Sequence, residues 1–229
     1  MKKDPPDFQR IYRLLEQNRA KFDEFYRFLV EQNAAFNLTA IVKEEEVFHK
    51  HFLDSLAGEQ YLERGARVAE VGSGAGFPSI PLLLVREDVS FTLIESTGKK
   101  CAFLKKVVEK FHLNAEVVQM RAEEAGKDEA FREKYDVVVA RAVAPLAPLC
   151  EYCLPLVKVG GEMIAWKGSE DETPSARNAA LKLGGEGLCP VFYELPAGYG
   201  ARSLVFCKKC RPTPAAYPRG QGKERKQPL

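Results

Sequence analysis

Long apolar runs are missing from this chain. No stretch approaches the ~18 consecutive apolar residues of a membrane-spanning helix. Lys2 and Lys3 lead into Asp4, Pro5 and Pro6, not into the apolar segment of a secretion signal. Both absences point to a cytoplasmic protein without a membrane partner. A G-x-x-x-x-G-K-[ST] run is missing as well, which removes one common phosphate cradle. No internal repeat is apparent, which argues against solenoids and propellers. Strong overall charge is absent too: the formal net charge is only +2. Six cysteines include two C-x-x-C pairs, Cys150/Cys153 and Cys207/Cys210. The first pair falls in a helical pattern and the second ends a strand, without the turns that shape a zinc knuckle. They read as small buried hydrophobes or surface thiols, with no metal and no disulfide expected.

The 45% hydrophobic and 29% charged residues are ordinary for a globular chain. At 229 residues there is room for one α/β domain plus an extension. The charge is unevenly placed. Residues 208–229 hold seven Lys/Arg and one acid, Glu224. That stretch reads as a basic, flexible tail (209–229) suited to a polyanion, or serving only solubility.

Residues 7–35 have helical periodicity, with stripes Phe8-Ile11-Tyr12-Leu15 and Phe22-Phe25-Tyr26-Leu29. A second helix is expected over about 43–62. It carries His51 and Asp54, three apart on one helix face. Together, residues 1–62 read as a helical extension on a core of 63–208. From residue 67 strands and helices alternate. Strands are expected at 67–71, 89–95, 115–119, 135–140 and 161–167, and a closing hairpin at 188–195 and 201–208. The helices between fall at 77–86, 98–112, 127–134, 145–158 and 172–184. This is the pattern of a doubly wound, mostly parallel α/β sheet.

The organising stretch is Arg67 to Phe77. An apolar strand runs into Gly72, Gly74 and Gly76, followed by a helix opened by Pro78. Glycines allow positive φ and close approach of backbone to a ligand. A dinucleotide G-x-G-x-x-G would need glycine where Phe77 stands, which disfavours a nicotinamide enzyme. The observed E-x-G-x-G-x-G resembles motif I of the class I methyltransferases. That resemblance implies S-adenosylmethionine as cofactor and a seven-stranded sheet.

Ligands of such sheets lie beyond the carboxyl ends of the strands. Strand one supplies Gly72, Gly74 and Phe77. Strand two supplies Glu95, with Ser96 and Thr97 behind it, an acid suited to ribose hydroxyls or to a helix N-terminus. Strand three leads to Ala122 and Glu123, suited to an adenine ring and its amine. Strand four ends at Arg141, open to a cofactor, an RNA phosphate, a guanine edge or a structural ion pair. Strand five ends at Lys167, a phosphate contact or a solvated strand end. Lys208, Lys209 and Arg211 are further candidates for RNA. The [DNS]-P-P-[YFW] tetrad of exocyclic-amine methyltransferases is absent: the chain has Ala140-Arg141-Ala142-Val143. A ring nitrogen with an in-plane lone pair needs no deprotonation, so catalysis can rest on alignment, worth about 7–11 kcal/mol. No acid/base residue is assigned.

Asn37-Leu-Thr-Ala-Ile41, His51-Phe-Leu-Asp-Ser-Leu56, Val71-Gly-Ser-Gly-Ala-Gly-Phe-Pro78, Arg121-Ala-Glu-Glu124, Ala140-Arg-Ala-Val-Ala144 and Lys167-Gly168 together resemble the RsmG (GidB) family. These are bacterial guanine-N7 methyltransferases of small-subunit ribosomal RNA. The resemblance implies 16S rRNA or the small subunit as partner, with a guanine in the 530 loop (position 527 in the usual rRNA numbering) as target. It carries cofactor contact to Gly72, Phe77, Ala122, Glu123 and Arg141, with Glu95 to Thr97 at the ribose. Glu70 departs from the Asp found in many members. A monomer is expected. A non-catalytic RNA-binding assembly factor on the same fold is the alternative, motivated by the basic tail.

Overall fold

The computed structural model describes residues 3–229. Helix α1 (Phe8–Gln17) opens on Asp7, whose Oδ1 accepts the Arg10 N–H at 3.1 Å. The single helix expected over 7–35 is divided in two. Asn18 caps α1, its Nδ2 donating to the Leu14 carbonyl at 3.0 Å, and α2 (Arg19–Phe36) starts again in a new direction. An asparagine amide competes for backbone partners in this way, which ends helices. Asn37, at φ +48°, stops α2.

The helix expected over 43–62 is also broken. It runs as α3 (Glu44–Val47), a π-helical stretch (Phe48–Leu53) and α4 (Asp54–Leu56), with a 3₁₀ turn at Glu59–Tyr61. Wider π turns shift the side chains that follow and often accompany functional sites. Here His51, Asp54 and Ser55 are all buried.

The core holds seven strands: β1 (Arg67–Val71), β2 (Ser90–Glu95), β3 (Ala115–Gln119), β4 (Tyr135–Arg141), β5 (Val157–Lys167), β6 (Gly185–Glu194) and β7 (Ala201–Lys209). Their order is β3-β2-β1-β4-β5-β7-β6, with β7 antiparallel to both neighbours. The order reverses between β1 and β4, where doubly wound sheets place their ligand crevice. Helices α5 (Ser79–Val85), α6 (Gly98–Lys110), α8 (Leu146–Cys153) and α9 (Thr173–Lys182) connect the strands. No helix forms at 127–134. Instead α7 (Ala122–Ala125) follows β3, with the Arg121 N–H donating to Glu124 Oε2 at 3.1 Å. Residues 127–134 make turns that end with Glu133 at φ +53°.

Two apolar clusters cover the two sheet faces. One joins Val68, Val137, Val139, Ile164 and Trp166 to the aromatic stripes of α1 and α2 and to Phe103, Leu104 and Val107 of α6. Lys99, Lys105, Lys106 and Lys110 of α6 are exposed opposite them. The other joins Ala69, Val71, Val138, Ala140 and Ala165 to α8 and α9, including Cys150, Cys153 and Cys207. Burial pushes the Cys207 thiol up to about 12. The pairing of alternate residues with opposite faces is the period-two rule of strands.

Trp166 closes the first cluster. Its Nε1 donates to the Asp54 carbonyl at 2.7 Å, and a Cβ on Gly58 would lie 2.3 Å from its Cζ2. Gly58→Ala is therefore expected to destabilise the fold by about 1–3 kcal/mol through overpacking. A lower urea midpoint at unchanged m-value checks this; an unchanged midpoint would contradict it.

Candidate functional site

The loop after β1 turns on glycine. Gly72 sits at φ +69° and Gly76 at φ +85°. A Cβ at Gly72 would meet Val143 Cγ2 at 2.7 Å, and one at Gly76 would meet Ile80 Cγ1 at 2.3 Å. Both dihedral and space therefore exclude side chains there. The loop is tied to the end of β2. Glu95 Oε2 accepts the Gly74 N–H at 3.0 Å, and its Oε1 accepts the Thr97 N–H at 2.8 Å. Glu95 is buried beneath the loop.

A cleft of about 340 Å³ opens at the strand tips beside this loop. Gly72, Ser96, Ala122 and Glu123 share it, so four of the residues singled out in the sequence converge from three strand ends. Gly74, Glu95 and Thr97 flank it through the hydrogen bonds just described. Further lining comes from Met120, Val143, Tyr152, Gly222 and Arg225, none of which the sequence reading assigned. Val143 belongs to a stretch that carried the family resemblance. Tyr152 lies within a buried helix, and Gly222 and Arg225 lie 81 or more positions from β4's end, with only their basic context as a signal.

Phe77 and Arg141 point elsewhere. Val137, Val139 and Arg141 alternate onto the face covered by the amino-terminal helices. There the Arg141 guanidinium donates to the Lys50 carbonyl at 2.7 Å, meets His51 Nδ1 at 2.9 Å and pairs with Asp54 Oδ2 at 3.3 Å. Asp54 Oδ1 also accepts the Tyr193 hydroxyl at 2.8 Å. Phe77 is buried against this pair: the His51 ring stacks on it at 4.3 Å and 19°, and the Arg141 carbon lies 5.8 Å from its centroid. Burial, then the Arg141 charge, push the His51 imidazole down to about 3. It is neutral at ordinary pH, so it can accept from Arg141 while Nε2 contacts the Thr39 hydroxyl at 3.1 Å. The structural ion pair is thus the reading of Arg141 that its contacts support. The i, i+3 pair of His51 and Asp54 is realised by sharing this arginine.

Glu70 lies beneath the loop on the same face, fully buried. Ser79 Oγ donates to its Oε2 at 2.5 Å, while Oε1 has no partner. Burial pushes its carboxyl up to about 7, with the Ser79 and Ser73 hydrogen bonds opposing.

The candidates for RNA do not share the cleft. Lys167 donates to the Ala144 carbonyl at 3.0 Å and pairs with Glu172 at 2.8 Å. Because β7 runs antiparallel, its last residues reach the sheet edge opposite the strand tips; Lys208 is exposed there, in register with Glu162. Arg211 meets Glu186 at 3.5 Å. Lys209 is fully buried, its Nζ bonded to the Leu154 carbonyl and Thr213 Oγ1 at 2.6 Å each and to Glu133 at 3.2 Å. It is withdrawn from any RNA. The segment expected to be a flexible tail is packed on the protein instead, through Thr213, Arg219 and a buried Glu224.

Among solved structures, the chain is similar to a SAM-dependent O-methyltransferase of Thermotoga maritima, at TM-score 0.53 and 16% identity over 80% of this chain and 72% of that one. It is also similar to TYW2 of M. jannaschii, solved with AdoMet, at TM-score 0.55 and 14% identity over 73% and 77%. The fold is that of the Rossmann-like methyltransferases.

Closer likeness lies in sequence. The ribosomal RNA small subunit methyltransferase G of Pelotomaculum thermopropionicum is 45% identical over 94% of this chain and 92% of its own length. That of Lactobacillus acidophilus is 41% identical over 95% and 94%. Residues 18–187 match the GidB model, described as rRNA small subunit methyltransferase G, and the chain belongs to this family. Among the described residues no helix is long and apolar enough to cross a membrane.

Two outcomes follow from the buried polar groups. Glu70 has a folded-state pKa of about 7 against an ordinary value of 4.5. A raised carboxyl costs stability as pH rises from the unfolded value through the folded one. Glu70→Gln should remove that loss. Its stability relative to the parent should rise between pH 4.5 and 7 by up to roughly 3 kcal/mol; parallel pH profiles of the two proteins would contradict this. Asp54→Ala takes away the acid that pairs with Arg141 and the acceptor of the buried Tyr193 hydroxyl, a change that costs about 3–5 kcal/mol. A denaturation midpoint within error of the parent would refute it.

Proposed function

We propose that this chain transfers a methyl group from S-adenosylmethionine to N7 of a guanine in the 530 loop of 16S rRNA, acting in the cytoplasm as a monomer. The observation that carries this reading is the convergence of Gly72, Ser96, Ala122 and Glu123 on one cleft at the point where strand order reverses. Family membership supports the RNA substrate.

The cleft suits such a cofactor. A side chain at Gly72 would fill its floor, so bare backbone is required there. Its size is that of a small-molecule site. Gly72 and Gly74 would line the amino-acid portion. Glu95, with the Ser96–Thr97 turn, would hold the ribose. Ala122 and Glu123 would receive the adenine. Bound there, the cofactor supplies an electrophilic methyl on a sulfonium.

The chain's own contribution is orientation and exclusion of water. Apolar Val71, Ile94, Met120 and Val143 line the cleft beside its few polar groups. The end of β4 carries Ala140-Arg141-Ala142-Val143, with no polar acceptor and stacking aromatic to activate an amine. Arg141 is held inward by Asp54, so it does not donate to the ring nitrogen that must attack. N7 of guanine attacks through an in-plane lone pair, and no group on the protein has to take a proton first. Alignment is the whole of the task.

Tritiated-methyl transfer to 16S rRNA from cells lacking the endogenous activity tests the reading. Label is expected on guanine N7 within the 530 loop. Gly72→Val should lower S-adenosylmethionine affinity by about ten- to a hundredfold, because strain at positive φ adds to the clash with Val143. Label on an exocyclic amine, or none in rRNA, would sink the proposal. RNA binding with no cofactor binding would favour a non-catalytic assembly factor.

A further inference from the structure

The carboxyl-terminal segment crosses the molecule from one edge of the sheet to the other. It leaves β7 at the buried Lys209, on the edge away from the strand tips. The Thr213 N–H then donates to Glu133 Oε1 at 2.7 Å. Arg132 clamps the segment, donating to the carbonyls of Thr213 at 2.7 Å and Tyr217 at 2.8 Å. Arg219 engages the buried Glu151 of α8: its N–H and Nε both donate to Oε1 at 2.9 Å, and a terminal nitrogen donates to Oε2 at 2.7 Å. Glu224, also buried, accepts the Gly220 N–H. These are directional, charge-assisted contacts, several of them out of water. They fix the path of the chain and deliver the short helix α10 (Lys223–Lys226) to the mouth of the cleft. There Gly222 and Arg225 form part of the same lining as Gly72, Ala122 and Glu123.

From this placement we infer that Arg225 contacts the cofactor, its guanidinium forming one wall of the adenine end of the cleft. The inference rests on the S-adenosylmethionine reading above. One terminal nitrogen of Arg225 donates to the Val143 carbonyl at 2.8 Å, which orients the group. Four N–H donors and a flat π-face remain. An adenine is flat and carries only acceptor nitrogens on its ring, so it is matched by both. Of the segment's other positive charges, Arg219 is engaged by Glu151, Arg211 by Glu186 and Lys209 by Glu133, while Lys208, Lys223 and Lys226 are exposed and do not line the cleft. Arg225 has no acidic partner within ion-pair distance among the described residues, and it lies at the cleft. A phosphate of the RNA would use the same charge but not the plane, which gives the test its second arm.

Titration calorimetry on the full chain with S-adenosylmethionine, and competition with adenosine, decides between them. Arg225→Ala should weaken both ligands alike by about five- to tenfold, with an unchanged melting temperature for the free protein. Arg225→Lys should recover only part of the loss, since it returns charge without a plane. If Arg225→Ala binds S-adenosylmethionine as the parent does, the inference falls, and a simultaneous drop in RNA affinity would identify the group as a phosphate contact. Loss of S-adenosylmethionine affinity with adenosine affinity intact would also overturn it, since the contact would then lie away from the purine. Should the unaltered chain bind no S-adenosylmethionine, the cofactor reading and this inference fall together.

Discussion

Asp54 is the residue on which the site's geometry depends. One carboxylate oxygen takes the Tyr193 hydroxyl, the other pairs with Arg141, and its backbone carbonyl takes the Trp166 indole. Those partners sit on β6, β4 and β5, while Asp54 itself belongs to the amino-terminal helices. A buried carboxylate with one cationic partner and further donors is stable in place but expensive to disrupt. It therefore locks the helical extension to the tips of the sheet. Phe77 is held as a consequence, packed against the His51 ring with the Arg141 guanidinium nearby. Since Phe77 ends the glycine loop, the loop is anchored from the helix side there and from the β2 side by Glu95. The floor of the cleft is fixed at both ends before any ligand arrives, which lowers the entropy lost on binding.

Electrostatics at the site follows from this packing rather than from net charge. His51 is kept neutral by burial and by the neighbouring arginine. A cationic imidazole stacked on Phe77 beside Arg141 would place two like charges within contact distance in a dry environment. Glu70 has the opposite problem: a carboxylate with one oxygen unpartnered, deep beneath the glycine loop. Its Ser79 hydrogen bond reduces the penalty without removing it. The extra methylene of glutamate over aspartate carries the carboxyl from β1 to the start of α5. That makes it a brace between strand and helix at the loop's base.

Much of the fold was legible in the sequence because burial obeys period. The alternation of strands and helices, the glycine turn and the lysine face of α6 each come from one local rule. What was not legible has identifiable causes. Asn18 divides the first helix through a single side-chain hydrogen bond, which leaves the apolar stripes intact on either side. The π-helical stretch keeps apolar residues inside while shifting His51 and Asp54 onto Arg141. Arg141 itself was placed by counting to the end of a strand. The parity of Val137 and Val139 would have put its side chain on the helix-covered face, away from the cleft. Reading Lys208 and Lys209 alike as solvent-facing misses the burial of Lys209 for a related reason. Basic residues at the end of a strand suggest solvent and polyanions, but an antiparallel last strand carries them to the far edge, and alternation then buries one of the two.

Two segments far apart in the chain meet at the site from opposite faces of the sheet. Residues near 51–55 brace the glycine loop from one side, and residues 219–225 close the cleft from the other. Sequence distance hides this, because nothing local in a basic tail announces that Arg219 will find a buried Glu151 on α8. The consequence is thermodynamic. Segments near termini are the first to open locally, at free energies below that of global unfolding. A cleft that needs both segments docked binds its ligand with an affinity reduced by the fraction of molecules in which either is open. The Arg219–Glu151 pair, with several hydrogen bonds to one buried carboxylate, opposes that opening in the last segment. Two charges that look in the sequence like attraction for RNA, Lys209 and Arg219, are used instead to hold the last segment on the protein.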